Sequence, residues 1–421
     1  MDAQRLLESK LRQAEEDGNI GAVVQTLSLQ DKTQALLIAG ITGLYDVVIY
    51  LIDHGVGVQY VNSRQKNLMH LLLGSYNRHI NTSRRDLLLQ CIGKLIEAGV
   101  DVNWPNENTE MPVFTAARKG LYEVVIYMLE HGFDVHYVDS RQNNLIHILL
   151  YRYDRYDNTG RHALLLPCVV KLVDAGVDVN QLNVDKMTPL LIAARKGLCD
   201  VVIYLLEHGV DVHCLDGRQN NLMNIVLYNY DRSYNTGRLD LLLSCVVKLV
   251  DAGVDAKQSD EDKVTTIFIA ARKGLYDIVM YFLKRGVDAH CIDSCKCNIL
   301  HYILCCMYSS VMDEEKCIQL VNTLINMGSS INQPDHEGNT PLFYVCINKP
   351  KFSMSNMHGI KLALEAGQDI YVRLKCKLIN ILLEAGCNVN HQNTEGQTAL
   401  MYYIIQQSDI SILKLLIPHS D

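Results

Sequence analysis

The chain has 421 residues, 48% hydrophobic and 20% charged, so it carries ample apolar surface to bury and is not a disordered or low-complexity protein. Its formal net charge of −8 is spread thinly, with no basic stripe of the kind a phosphate backbone requires, which argues against nucleic acid as a partner. No apolar run approaches the roughly 18 residues that span a bilayer. The Arg-, Lys- and Glu-rich stretch Met1 to Asn19 does not read as a secretory leader. Together these predict a cytoplasmic protein, with the nucleus also open to it, and no membrane insertion.

In chain order, residues 1–30 contain a helical half-repeat, Leu11 to Leu27, suited to capping an open end. From residue 31 the chain copies itself. Ala39-Gly40-Ile41-Thr42-Gly43 returns as Ala116-Ala117-Arg118-Lys119-Gly120, as Ala193-Ala194-Arg195-Lys196-Gly197 and as Ala270-Ala271-Arg272-Lys273-Gly274, each 77 residues after the last. Ser63, Ser140, Gly217 and Ser294 keep the same step, so one unit is written four times.

Each unit holds a short segment of 33 residues, such as 184–216, and a long one of 44, such as 140–183. Both read helix, turn, helix, loop. In the short one Thr188 is placed to cap a helix whose first position is Pro189, where the missing N–H costs nothing, and Gly197 ends it. The run Cys199 to His208 has apolar residues at helical spacing and is stopped by Gly209. In the long segments Asn67, Asn144, Asn221 and Asn298 stand where Thr188 does; Asn also accepts a hydrogen bond from first-turn amides.

This pattern resembles the ankyrin repeat over nearly the whole chain. The likeness rests on the 33-residue length, the Thr340-Pro341-Leu342 run, the Ala-Ala-x-x-Gly helix end and the Gly-x-Asp-Val-Asn loop at Gly176 to Asn180. It implies an all-α solenoid of stacked helix-turn-helix repeats with finger loops. Residues 31–335 form repeats 1–8, and residues 336–421 form divergent repeats with an insertion and a C-terminal cap. The resemblance also implies that His70, His147 and His301 serve a structural hydrogen-bonding role between neighbouring repeats. Asn224 replaces that histidine in one copy.

The long segments depart from the family in an insertion between their helices, at Ser75 to Arg85, Arg152 to His162 and Asn229 to Leu239, with a divergent version near Met307 to Glu315. The first three are rich in Tyr, Asn, Arg and Asp. Tyr and Arg give large contact area with a polar tip, so Tyr76, Arg78, Tyr151, Tyr153, Arg155, Tyr156, Tyr228, Tyr230, Arg232 and Tyr234 are candidate partner contacts. A packing role for the same aromatics stays open. Ile49, Ile126, Ile203 and Met280 add apolar surface where the family pattern shows an exposed Lys. The stretch 336–393 is a further irregularity with two readings open: a ninth repeat with a large insertion, followed by a degenerate helix at Ile360 to Ala366, or a disordered segment around Asn348 to His358.

The pairs Arg118-Lys119, Arg195-Lys196 and Arg272-Lys273 end first helices, where positive charge suits the helix dipole; they also offer a footprint for an acidic partner. Fourteen cysteines lie inside helical patterns, as small hydrophobes of a reducing compartment, and Cys295, Cys297, Cys305 and Cys306 lack the paired spacing of a zinc site. No phosphate loop, nucleophile elbow or His-Glu-x-x-His is present, so neither catalysis nor a cofactor is expected. The ankyrin resemblance implies one modification, hydroxylation of a loop Asn eight residues after a Leu, as at Asn103, Asn180 and Asn390. The expected function is a monomeric, non-catalytic scaffold that binds other proteins through its concave groove and its insertions. The alternative is a substrate-recognition or regulatory subunit of an enzyme complex such as a ubiquitin ligase.

Overall fold

Short amphipathic helices of this kind are marginal alone and gain stability by burying an apolar flank against a neighbour. In the computed structural model, which describes residues 2–76, 83–153, 161–216, 218–230, 239–258, 265–305, 313–346, 368–405 and 410–417, they do so as antiparallel pairs. The chain forms two units, Met1–Val210 and Asp211–Asp421.

The first unit opens with the pair Asp2–Glu16 and Ile20–Gln25, whose Leu11, Ala14 and Val24 are buried. The end is therefore a two-helix hairpin and not the single half-repeat that Leu11 to Leu27 predicts, because Gly18, in the left-handed region at φ 65°, breaks the run. Five pairs follow: Leu29–Thr42 with Tyr45–Asp53, Leu68–Ser75 with Ser83–Glu97, Pro112–Arg118 with Tyr122–Glu130, Leu145–Arg152 with Leu165–Asp174, and Pro189–Lys196 with Cys199–Leu206. First helices pack on first helices and second on second. Met69, Phe114, Leu145 and Leu190 lie in one layer, and Val48, Ile92, Val125 and Val169 in the other.

The second unit repeats the scheme with Leu222–Asn229 and Leu239–Asp251, Thr266–Arg272 and Tyr276–Lys284, Ile299–Cys305 and Glu314–Asn326, Pro341–Cys346 and Gln368–Glu384, and Ala399–Ile405 with Ile410–Leu416. The degenerate helix read at Ile360 to Ala366 lies outside the described residues. No strand occurs among the described residues; isolated bridges join Val61 to Asn67 and Ile292 to Asn298 in two fingers.

Local chemistry sets each turn. Gly43 and Gly197 take φ 75° and 69°, and the buried Leu44 and Leu198 that follow donate their amides to Ala39 O and Ala193 O, closing the helix end with an apolar contact. At the finger tips Asn62, Asp139, Asp216 and Asp335 accept two or more hydrogen bonds from amides ahead of them, which forces a left-handed residue three positions on. Gly338 fills that position in one finger, but Gln65, Gln142, Gln219 and Lys296 fill it elsewhere at φ 58–62°. The described cysteines are free thiols, and burial pushes that of Cys168 up to about 12.

Candidate interaction surface

The stacking joint is built from the residue that caps each first helix. In the long repeats Asn67 and Asn144 accept the amide of His70 or His147 on Oδ1, while Nδ2 donates to the carbonyl of Asp101 or Asp178 in the loop that follows the same repeat's second helix, at 3.1 and 2.7 Å. One side chain thus closes a helix, ties the two ends of its repeat together and holds the Nδ1 of His70 or His147 at 2.8 and 2.7 Å. The histidine then ties that repeat to the next one: Nε2 lies 2.9 Å from Glu110 O, 3.0 Å from Met187 O and 3.3 Å from Asn339 O for His70, His147 and His301. Burial pushes all three imidazoles down, His301 to about 4.

The copy that lacks the histidine has a second change. Asn224 stands in its place, and the helix of the next repeat begins with Thr266 where the others have Pro112, Pro189 and Pro341. Thr266 Oγ donates to Asn224 Oδ1 at 2.8 Å, with both residues fully buried.

The Arg-Lys pairs do different work from the expected one. Lys119 Nζ donates to Gly74 O and Tyr76 O, Lys196 Nζ to Tyr151 O and Tyr153 O, and Lys273 Nζ to Tyr228 O and Tyr230 O, at 2.5–3.2 Å. Each lysine therefore serves the carbonyls that end the preceding repeat's first helix, where the positive charge also meets that helix's negative dipole end. Burial pushes the Lys119 ammonium below its ordinary value. Arg118 is ion-paired with Glu110. Arg195 is exposed and reaches the Met187 sulfur at 3.7 Å, and Arg272 is half-buried.

The tyrosines divide. Tyr76 and Tyr230 are 4% and 3% exposed, so of the two roles open to them their rings take the packing one and not that of partner contacts. Tyr153 and Tyr228 are half-buried. Tyr151 is exposed, and its hydroxyl accepts from Asn183 Nδ2 at 3.0 Å, which fixes the ring against the finger that leads into the next repeat. Tyr151 and Arg152 belong to the last turn of a helix and not to an insertion. Arg78, Arg155, Tyr156, Arg232 and Tyr234 lie outside the described residues. Ile49, Ile126, Ile203 and Met280 are half-buried.

The loop asparagines are structural ties. Asn103 Nδ2 donates to Gly132 O and its Oδ1 accepts from Asp134 N, both at 2.8 Å, and Asn180 Nδ2 donates to Gly209 O at 3.1 Å. Asn390 N donates to Asn388 Oδ1 at 3.1 Å. Among the described residues no group of three or more His, Cys, Asp or Glu side chains converges on a metal-sized site.

The family model for ankyrin repeats in many copies matches residues 172–226. The chain is an ankyrin-repeat protein. Relatives with this repeat include an ankyrin repeat protein of variola virus, OPG189, 27% identical over 150 residues that make up 32% of this chain and 25% of that protein. The phosphocholine transferase AnkX of Legionella pneumophila is 25% identical over 41% of this chain and 15% of its own length. A putative fowlpox virus ankyrin repeat protein, FPV031, is 26% identical over 37% of each. The matched stretches thus span between 15% and 37% of these relatives, and the activity that AnkX is named for is a property of that protein. Among solved structures, the ankyrin repeat domain of Bcl-3 aligns with 74% of this chain and 100% of its own at 16% identity and a TM-score of 0.38.

Sequence reasoning passed over Arg152 and the finger residues Leu182 and Val184, all exposed. The signal that points to Arg152 is compositional: Pro112–Arg118, Leu145–Arg152 and Pro189–Lys196 contain no Asp or Glu, and each ends in a basic residue.

Proposed function

We propose that this ankyrin-repeat chain is a non-catalytic, monomeric protein-binding module of the cytoplasm that receives partners on the exposed flanks of its first helices and on its fingers. Ankyrin repeats generally mediate protein–protein interaction, which supports the class of function. One observation carries the placement. Most polar side chains along the first helices are spent on ties between repeats, whereas Tyr151, Arg152 and Arg195 stand exposed on two consecutive repeats. In this reading residues 1–30 cap the array, 31–335 hold repeats 1–8 and 336–421 hold the divergent end.

The test is affinity capture with the full chain and with the Tyr151→Ala/Arg152→Ala/Arg195→Ala variant, followed by mass spectrometry. A partner lost by the variant at unchanged melting temperature supports the reading. Capture that is the same for both sinks the placement. A ligase core among the captured proteins identifies the chain as a substrate-recognition subunit. Hydroxylation of Asn103, Asn180 or Asn390 is proposed alongside, and intact-mass gains of one oxygen per site report it.

A further inference from the structure

We infer that the flank made by Pro112–Arg118, Leu145–Arg152 and Pro189–Lys196 takes an acidic segment of a partner polypeptide. The inference rests on the protein-binding reading and deepens it by naming the partner's chemistry.

The three helices lie side by side and carry no carboxylate. They are joined across their ends by Arg152 Nε donating to Arg118 O at 2.6 Å and by Lys196 Nζ donating to Tyr151 O at 3.1 Å, so their basic groups form one continuous strip. Glu110, paired with Arg118, is the one carboxylate that meets this strip in an ion pair among the described residues. Arg152 and Arg195 have no carboxylate partner among the described residues, and both are exposed. The helix ends beside them are already met, because Lys196 caps the carbonyls that end Leu145–Arg152 and Arg152 Nε itself meets Arg118 O at the end of Pro112–Arg118. The exposed terminal nitrogens of Arg152 and the exposed guanidinium of Arg195 remain as charged donors suited to carboxylates.

Apolar surface flanks the charge. Tyr151, 38% exposed, is held in place by Asn183, whose chain neighbours Leu182 and Val184 are 55% and 54% exposed. A rigid aromatic ring beside exposed guanidinium groups that meet no carboxylate among the described residues is the kind of pairing that dominates binding energy at interfaces. The chain's net charge of −8 leaves this strip as a local exception, a geometry that favours a short acidic segment over a long polyanion.

The experiment titrates the full chain into a dye-labelled peptide of alternating Glu and Leu and reads anisotropy, with the Gln/Leu peptide as control. The acidic peptide is expected to bind, to weaken as salt is raised, and to lose at least about tenfold in affinity to the Arg152→Glu/Arg195→Glu variant at an unchanged melting temperature. A Lys/Leu peptide should in turn prefer that variant. No binding of the Glu/Leu peptide, binding indifferent to the charge reversal, or tighter binding of an oligothymidylate of equal charge would each overturn the inference. A partner captured equally by the parent and the charge-reversed chain, yet lost by Tyr151→Ala, would sink the acidic chemistry and leave the protein-binding reading standing.

Discussion

The joint at Asn224 and Thr266 offers the sharpest test of how the repeats are held. Thr266→Val keeps shape and volume but removes the hydroxyl that donates to Asn224 Oδ1, in a place where both residues are 0% exposed and Asn224 Nδ2 has no partner among the described residues. Stranding a buried carbonyl oxygen costs about 1–3 kcal/mol, and about 2 kcal/mol corresponds to roughly a thirtyfold rise in local opening. Hydrogen exchange at the amides of Leu222–Asn229 and Thr266–Arg272 should accelerate by that order, more than in the first unit. In an Asn224→Ala background the same Thr266→Val change should cost little or even stabilise, since the hydroxyl then has no acceptor. Installing the pair used elsewhere, Asn224→His with Thr266→Pro, should recover stability better than either change alone. Equal costs for Thr266→Val in both backgrounds would refute the coupling.

Three further outcomes follow from the same geometry. Lys196→Met, which leaves the carbonyls of Tyr151 and Tyr153 without their ammonium, should lower stability by about 1–3 kcal/mol, read as a shift of the urea midpoint. Gln142→Gly relieves a left-handed side chain at φ 60° and should be neutral to stabilising by up to about 1 kcal/mol, whereas Gly338→Ala, whose Cβ would meet Thr394 N at 2.9 Å, should destabilise by more than the roughly 1–2 kcal/mol of the conformation alone; paired thermal melts decide both. His301, held neutral by burial at a pKa of about 4 against the ordinary 6.5, binds fewer protons folded than unfolded, despite the opposing pull of Asp335 and Asp293. Stability should therefore be full above pH 6.5 and fall as the pH drops toward 4, by about 3 kcal/mol at most, in urea titrations; a His301→Gln chain should show a flatter profile.

The fold was legible because its determinants are local and periodic. Thr188, Pro189 and Gly197 mark a helix's start and end by chemistry that acts within one turn, and the structure puts the caps there. The Asn caps were equally readable as caps. Their second bond, to a carbonyl 34 residues on, was not, because it depends on how the second helix folds back and delivers the following loop to the first helix. The same limit explains the tyrosines. Tyr76, Tyr151 and Tyr230 sit in similar polar strings, yet two are buried and one is exposed: Tyr76 and Tyr230 hold the same place just past a first helix, whereas Tyr151 lies in the last turn of one, and which place faces inward is a matter of packing. Composition records which side chains are present near a joint; only packing decides which of them are consumed by it.

That distinction bears on why the sequence repeats in steps of 77 and not 33. Within the first unit the long repeat's second helix sends Lys94 or Lys171 back to Asp53 or Glu130 of the short repeat before it. The short repeat's first helix sends Lys119 or Lys196 back to the open carbonyls of the long repeat before it. Each kind of repeat thus supplies what the other kind leaves unmet. The surface ion pairs contribute little, on the order of 0–1 kcal/mol each, so the carbonyl caps, of which those at Tyr76 and Tyr153 are partly buried, are the stronger half of the exchange. A duplication of one repeat alone would set like against like: a short repeat's lysine would face a helix already closed by Gly197 or Gly43 in the left-handed conformation, with no free last turn to serve. Copying the pair keeps every joint matched, and it returns at every second repeat a first helix whose final turn is held by a neighbour while its outward side chains stay uncommitted.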